Sequence, residues 1–292
     1  MIVRRLITAA ALVCATPAFA ELNPLPDAAI SDPMPDAANP AGMVAFQLPT
    51  GTEKINALLY LAAGDGPKPA LLLLHGFPGN EQNLDLAQAA RRAGWDVLTL
   101  HYRGSWGSDG AFSFVNCIED ARNAARWLQS ESFIKQTGHA PSRIAVAGHS
   151  MGGMMAARTM ADVAGLAGAY LIDPWDISAE ERSLTDLNAE MAFKLGLADD
   201  LKPLDGTNAD ALLLEMRANP ALLDLRKTVT TISDRPLALV YAERGLGRDY
   251  AAMLAAASPG SATATMLKTD HSFSDHRIQL AGHFVRWLNG LK

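Results

Sequence analysis

The sequence predicts an α/β fold: a mostly parallel central sheet with helices on both faces, carrying a helical cap insertion. Three observations support this. From Ala70 onward, apolar runs of strand length alternate with segments of helical period. The run Ala70–Leu74 is apolar at every position, as expected of a strand buried on both faces. The stretch 174–233 then breaks the alternation with helix formers and charges, as in Ala179-Glu180-Glu181-Arg182, and shows no obvious strand.

The elements follow in order. Residues 1–20 read as a signal peptide: Arg4 and Arg5, an apolar run from Leu6 to Thr16, then Ala18-Phe19-Ala20 before a cut expected after Ala20. That run is too short to span a bilayer comfortably, so no stable membrane insertion is expected once it is removed. The expected location is periplasmic or secreted. Of the two cysteines only Cys117 would survive processing, so no internal disulfide is expected. The net charge of -6, with no dense basic stretch, argues against nucleic acid as a partner.

Residues 21–42 hold Pro24, Pro26, Pro33, Pro35 and Pro40, and read as an extended leader without helix or strand. The domain proper is expected over 43–292. It opens with a hairpin, strands at 43–48 and 55–61 around Pro49-Thr50-Gly51-Thr52. Strands follow at 70–74, 96–101, 143–147, 167–172, 237–242 and 263–268. Helices are expected at 84–93, 114–128, 151–166, 250–257 and 276–288, with the cap at 174–233.

Chemistry gathers at the predicted C-terminal ends of the strands, where open parallel sheets bind ligands. Gly148-His149-Ser150-Met151-Gly152 matches the G-x-S-x-G nucleophile elbow, with the strand Ile144-Ala145-Val146-Ala147 before it and a helical segment after. Ser150 is the expected nucleophile. An oxyanion needs fixed N–H donors, expected from Met151 and from Phe77 in His75-Gly76-Phe77-Pro78-Gly79, since Pro78 has no N–H. Tyr102 and Trp106, in the loop after the next strand, could line a substrate pocket or merely pack the loop. Among seven histidines, His271 lies after the last strand and before the closing helix, where a general base can reach the elbow. His149 sits inside the elbow facing the wrong way for that role.

Together the HG turn, the YRGSWG loop, GHSMGG and the late DHSFSD segment resemble the α/β-hydrolase superfamily, over about residues 55–290, most nearly its dienelactone-hydrolase and prolyl-oligopeptidase-like branch. The resemblance implies a serine hydrolase that acts on a small-molecule acyl substrate through an acyl-enzyme. No HExxH or paired-ligand spacing appears, and no P-loop or dinucleotide glycine pattern follows a strand, so no metal and no cofactor are expected. An ester is the first expectation, with a serine peptidase or amidase as the alternative. The sequence departs from the family at the acid: where G-x-x-D is usual, Ala242-Glu243-Arg244-Gly245 ends in Gly. Glu243 is the first candidate for that role, with Asp249, Asp173 and Asp176 as alternatives. The missing Asp is also the one feature that favours a non-catalytic binding protein of this fold.

Overall fold

The computed structural model of the chain describes residues 24–232, 234–246 and 262–292. Among these, one eight-stranded sheet has the order β1-β2-β4-β3-β5-β6-β7-β8. The opening strands β1 (Gly42–Thr50) and β2 (Glu53–Leu61) form an antiparallel hairpin, and β2 joins β4 (Asp96–Leu100) antiparallel. From β4 onward every pairing is parallel: through β3 (Ala70–Leu74), β5 (Ile144–His149), β6 (Gly168–Ile172), β7 (Leu237–Arg244) and β8 (Ala262–Asp270). Parallel strands bring their C-terminal ends to one rim, and that rim carries Ser150, Asp173 and His271.

Side-chain alternation divides the core in two. Leu72, Leu74, Val146 and Leu171 face α3 (Phe114–Leu128) and α5 (Met151–Asp162). Leu71, Leu73, Ala145 and Ile172 face α2 (Leu84–Arg92) and the closing helix α10 (Arg277–Gly290). β3 is therefore apolar at every position, because it serves both cores.

Among the described residues between β6 and β7 lie four helices and no named strand: α6 (Ile177–Ser183), α7 (Leu187–Gly196), α8 (Ala209–Ala218) and α9 (Leu225–Thr230). Asp176, Asp186, Asn208 and Asp224 cap their N-termini, each accepting a backbone N–H within the first turn. Leu212, Met216, Leu225 and Val229 bury into the core on the α5 side. Helix α7 buries no residue of its own and exposes Leu187, Met191 and Leu195.

One expectation needs correction. The leader is not wholly extended, because Asp27–Ile30 forms one helical turn, α1, with Pro26 at its N-cap. Proline is tolerated there because the first N–H groups of a helix lack internal partners. The turn is held by tertiary contacts: Arg92 Nε donates to the Ala28 carbonyl and Arg286 Nη2 to that of Pro24. The sequence reading also passed over a short helix, α4 (Glu131–Thr137), between Ser130 at its N-cap and left-handed Gly138 at its end. The helix expected at 250–257 lies outside the described residues, as does Asp249. Among the described residues no helix is long and apolar enough to cross a membrane.

Candidate active site

Ser150 sits between the last residue of β5 and the first of α5, with φ 55° and ψ -122°. A non-glycine residue in that region is strained, and the surroundings must impose it. They do so by close packing of backbone. A Cβ on Gly148 would lie 2.0 Å from the Gly152 carbonyl oxygen, and one on Gly152 would lie 2.2 Å from that of Leu74. Strand and helix can meet at this angle only where both flanking positions lack side chains. The backbone of Ser150 is tied on both sides: its N–H donates to Ile172, and its carbonyl accepts from Trp175. Met151 opens α5, so its N–H lies at the positive end of a twelve-residue helix.

The 75–79 loop closes against Ser150. A Cβ on Gly76 would come within 3.0 Å of Ser150 Cβ and 3.6 Å of its Oγ, so Phe77 follows directly at the serine. The Phe77 ring is half-buried among Phe112, Phe114 and Trp175, with centroids 5.6, 6.2 and 6.3 Å away. His75 Nδ1 lies 2.7 Å from the Gly76 carbonyl, to which it donates, and the Tyr102 hydroxyl donates to the His75 carbonyl at 3.2 Å. Burial drives the His75 pKa down to about 4, so the ring is neutral at physiological pH.

Tyr102 is fully buried. It supports the 75–79 loop from behind and is not a pocket wall, because its hydroxyl is committed to that loop's backbone. Trp106 is exposed at the rim, with its indole N–H donating to the Pro78 carbonyl. Their neighbour Arg103 turns into the body of the protein. It donates through Nε to Asp120 at 2.7 Å and through Nη2 to Glu119 at 2.5 Å. Asp120 also accepts from the Arg103 N–H and from Thr50, so one buried carboxylate pins the loop to α3 and β1.

His271 follows β8, and its Nδ1 lies 2.5 Å from Asp173 Oδ2. Asp173 is the first residue after β6, fully buried, with φ 39°. Its carboxylate also accepts the N–H groups of Ala242 at 3.2 Å and Leu246 at 2.8 Å. These bonds across from β7 fix the carboxylate before it meets the imidazole.

The first candidate for the acid is therefore corrected. Glu243 is exposed at the end of β7, while the carboxylate against His271 is that of Asp173, held among the alternatives. Asp176 is spent as the N-cap of α6, accepting from Ala179. The glycine that looked like a defect in the family pattern has a physical cause. A Cβ on Gly245 would stand 2.0 Å from Asp173 Oδ2, so an acid arriving from β6 requires a bare backbone at that point of the β7 loop. One signal for Asp173 was present in the sequence: a carboxylate directly after an uninterrupted apolar strand.

The segment that follows β8 is tied to the start of α2. Arg277 donates to the Ser272 carbonyl, to Asn83 Oδ1 and to both oxygens of Asp85. Sequence reasoning missed this clasp, since its partners lie far apart along the chain.

With this geometry described, comparison with known proteins decides the family. A model of the alpha/beta hydrolase family matches residues 71–287. The chain belongs to that family.

Among curated relatives, "Putative esterase YheT" of Escherichia coli K12 is 35% identical over 100 residues, 32% of this chain and 27% of YheT. An uncharacterized Mycobacterium tuberculosis protein, MT2364, is 31% identical over 127 residues, 42% of this chain and 43% of that protein. The matches thus span about a quarter and under half of those relatives. Among solved structures, Est1E of Butyrivibrio proteoclasticus with ferulic acid bound has a TM-score of 0.67 at 16% identity, covering 85% of this chain and 99% of that one. The acylaminoacyl peptidase of Pyrococcus horikoshii has a TM-score of 0.63 at 16% identity, covering 85% of this chain and 41% of that one. These likenesses establish the fold.

Proposed function

We propose that this α/β-hydrolase cleaves a carboxylic ester through a covalent acyl-serine. The observation that carries the reading is the 2.5 Å contact of His271 Nδ1 with the buried Asp173 carboxylate, at the rim that holds the strained Ser150. An imidazole held this way has its proton fixed on Nδ1 and a lone pair on Nε2, the state a general base requires.

In the proposed reaction the Ser150 hydroxyl attacks the ester carbonyl while His271 Nε2 takes its proton. Asp173 stabilises the imidazolium that results. The N–H groups of Met151 and Phe77 receive the oxyanion, and the proton passes from His271 to the departing alkoxide. Water, deprotonated by the same imidazole, then releases the acid and restores the serine. With Asp173 at His271, the missing G-x-x-D no longer favours a non-catalytic role. The helices of 174–233 serve as a cap that selects substrates and limits water.

A fluorophosphonate probe tests the reading. The wild type labels stoichiometrically and Ser150→Ala does not; an inert wild type overturns it. A panel of p-nitrophenyl esters set against short acyl-peptides separates esterase from peptidase or amidase, the alternative kept open by the peptidase fold neighbour. Export is part of the proposal: the mature chain begins at Glu21 and resides in the periplasm or medium. Mass spectrometry of the native N-terminus tests that, and a retained Met1 in mature protein counts against it.

A further inference from the structure

His149 is the last residue of β5, immediately before the nucleophile, and is almost wholly buried. Its side chain leaves the site and turns beneath the rim, toward the segment that delivers the base. There Nε2 lies 2.8 Å from the His271 carbonyl oxygen. A carbonyl can only accept, so Nε2 carries the hydrogen. The two imidazole rings lie together, with centroids 4.5 Å apart and planes 34° from parallel. The charged or titratable groups that His149 senses are His271 itself, Asp173 at the end of β6 and Arg277 on α10.

We propose that His149 is a positioning residue for His271: its Nε2–H anchors the base's own backbone while its ring supports the imidazole from one side. This rests on the proposed role of His271 as general base. The contact couples the two partners of the proton transfer. Ser150 and His149 are consecutive in the chain, so the strand that places the hydroxyl also holds the carbonyl of the residue that must accept its proton. Asp173 holds the imidazole at Nδ1 and His149 holds the backbone from which it springs, which sets both the direction and the height of Nε2 above the elbow.

The ring must stay uncharged for this. His271 becomes cationic in each turnover, and a second imidazolium against it would oppose proton uptake. Burial, reinforced by the nearness of His271, lowers the His149 pKa to about 4 and keeps it neutral at working pH. A misplacement of about 1 Å in reacting groups can cost on the order of a hundredfold in rate, so the anchor bears on kcat more than on binding.

The test compares His149→Ala, His149→Gln and His149→Phe on p-nitrophenyl butyrate, with kcat expressed per serine titrated by a fluorophosphonate and with the pH dependence of kcat/KM recorded. The Gln amide nitrogen reaches the place of Nε2 and keeps the donor without the ring. Phe keeps the ring without the donor. The expected result is a fall of about 10- to 100-fold in per-site kcat for His149→Ala with KM changed less than about threefold, and recovery to within about fivefold for His149→Gln. His149→Phe stays low, and its fluorophosphonate labelling slows in parallel.

A purely structural role would reduce the titrated fraction and the melting temperature but leave per-site kcat and the pH profile unchanged; that outcome overturns the proposal. Rescue by Phe but not by Gln overturns it as well. If His149→Ala does not fold, the Gln and Phe pair decides alone. A wild type that neither labels nor turns over ester sinks the hydrolase reading together with this one, whereas a normal wild type with unaffected variants sinks only the role of His149.

Discussion

Gly245 and Asp173 divide one small volume at the rim of the sheet: the Asp173 carboxylate stands where a side chain on residue 245 would go. An acid from β6 and a side chain at this point of the β7 loop exclude each other. Gly245→Ala is therefore expected to push the carboxylate off His271 Nδ1 and lower kcat by about a hundredfold. Ester turnover per titrated serine measures the effect; turnover within twofold of wild type would show that the carboxylate tolerates the added methyl.

The two candidate acids separate by substitution. Asp173→Asn is expected to lower kcat by roughly 10⁴, because an amide cannot hold the base in its working tautomer or balance the imidazolium. Glu243→Gln, exposed and not part of that contact, is expected to stay within twofold. Steady-state kinetics on one activated ester suffices, and a reversed order of the two effects would return the role to Glu243.

Much of this arrangement could be read from the residues, and the part that could not has a common cause. Ala70–Leu74 and Phe114–Leu128 have the bounds their apolar patterns predict, since a doubly buried strand and an amphipathic helix write their environment into local spacing. The elbow was legible because its glycines sit beside its serine. Asp173 and His271 are 98 positions apart, and no local pattern encodes which of several carboxylates meets an imidazole across a sheet. Helix α1 is a single turn held by α2 and α10, so its proline-rich sequence gave no sign of it. By contrast, the caps of α4, Ser130 and Gly138, were visible and were passed over.

Acidification should weaken the fold before it titrates ordinary carboxylates. Burial lowers both His75 and His149 from 6.5 to about 4. Between those values the unfolded chain binds more protons than the folded one. The stability they confer is thus fully present above about pH 6.5 and is lost as pH falls toward 4. At 1.36 kcal/mol per pKa unit the loss is on the order of 3 kcal/mol for each ring. Asp96, Asp120 and Asp176, whose pKa values burial raises, act with the opposite sign and offset part of the loss at the acid end. Melting temperature should fall steadily from pH 7 to 5, and less steeply in His149→Gln; equal slopes in the two proteins would exclude His149 as a contributor.

The loop that carries Tyr102 and Trp106 hangs on Asp120. Asp120→Ala leaves the Arg103 N–H and the Thr50 hydroxyl without their shared acceptor, and removes a wholly buried partner from the guanidinium. The expected destabilisation is about 3–5 kcal/mol, as for other broken buried pairs. Urea unfolding measures it; a change below 1 kcal/mol would mean that Glu53 and Glu119 hold Arg103 unaided.

Because the carboxylate that meets His271 comes from the end of β6, it stands at the very root of the helical segment that follows. Asp173 contacts His271, Trp175 bonds back to the Ser150 carbonyl, and Asp176 already caps α6. Only Pro174 and Trp175 separate the carboxylate at His271 from the N-cap of α6. On the proposed mechanism, a chimera that grafts a relative's helical segment onto this scaffold must make its upstream splice after Trp175, or it exchanges the acid along with the specificity.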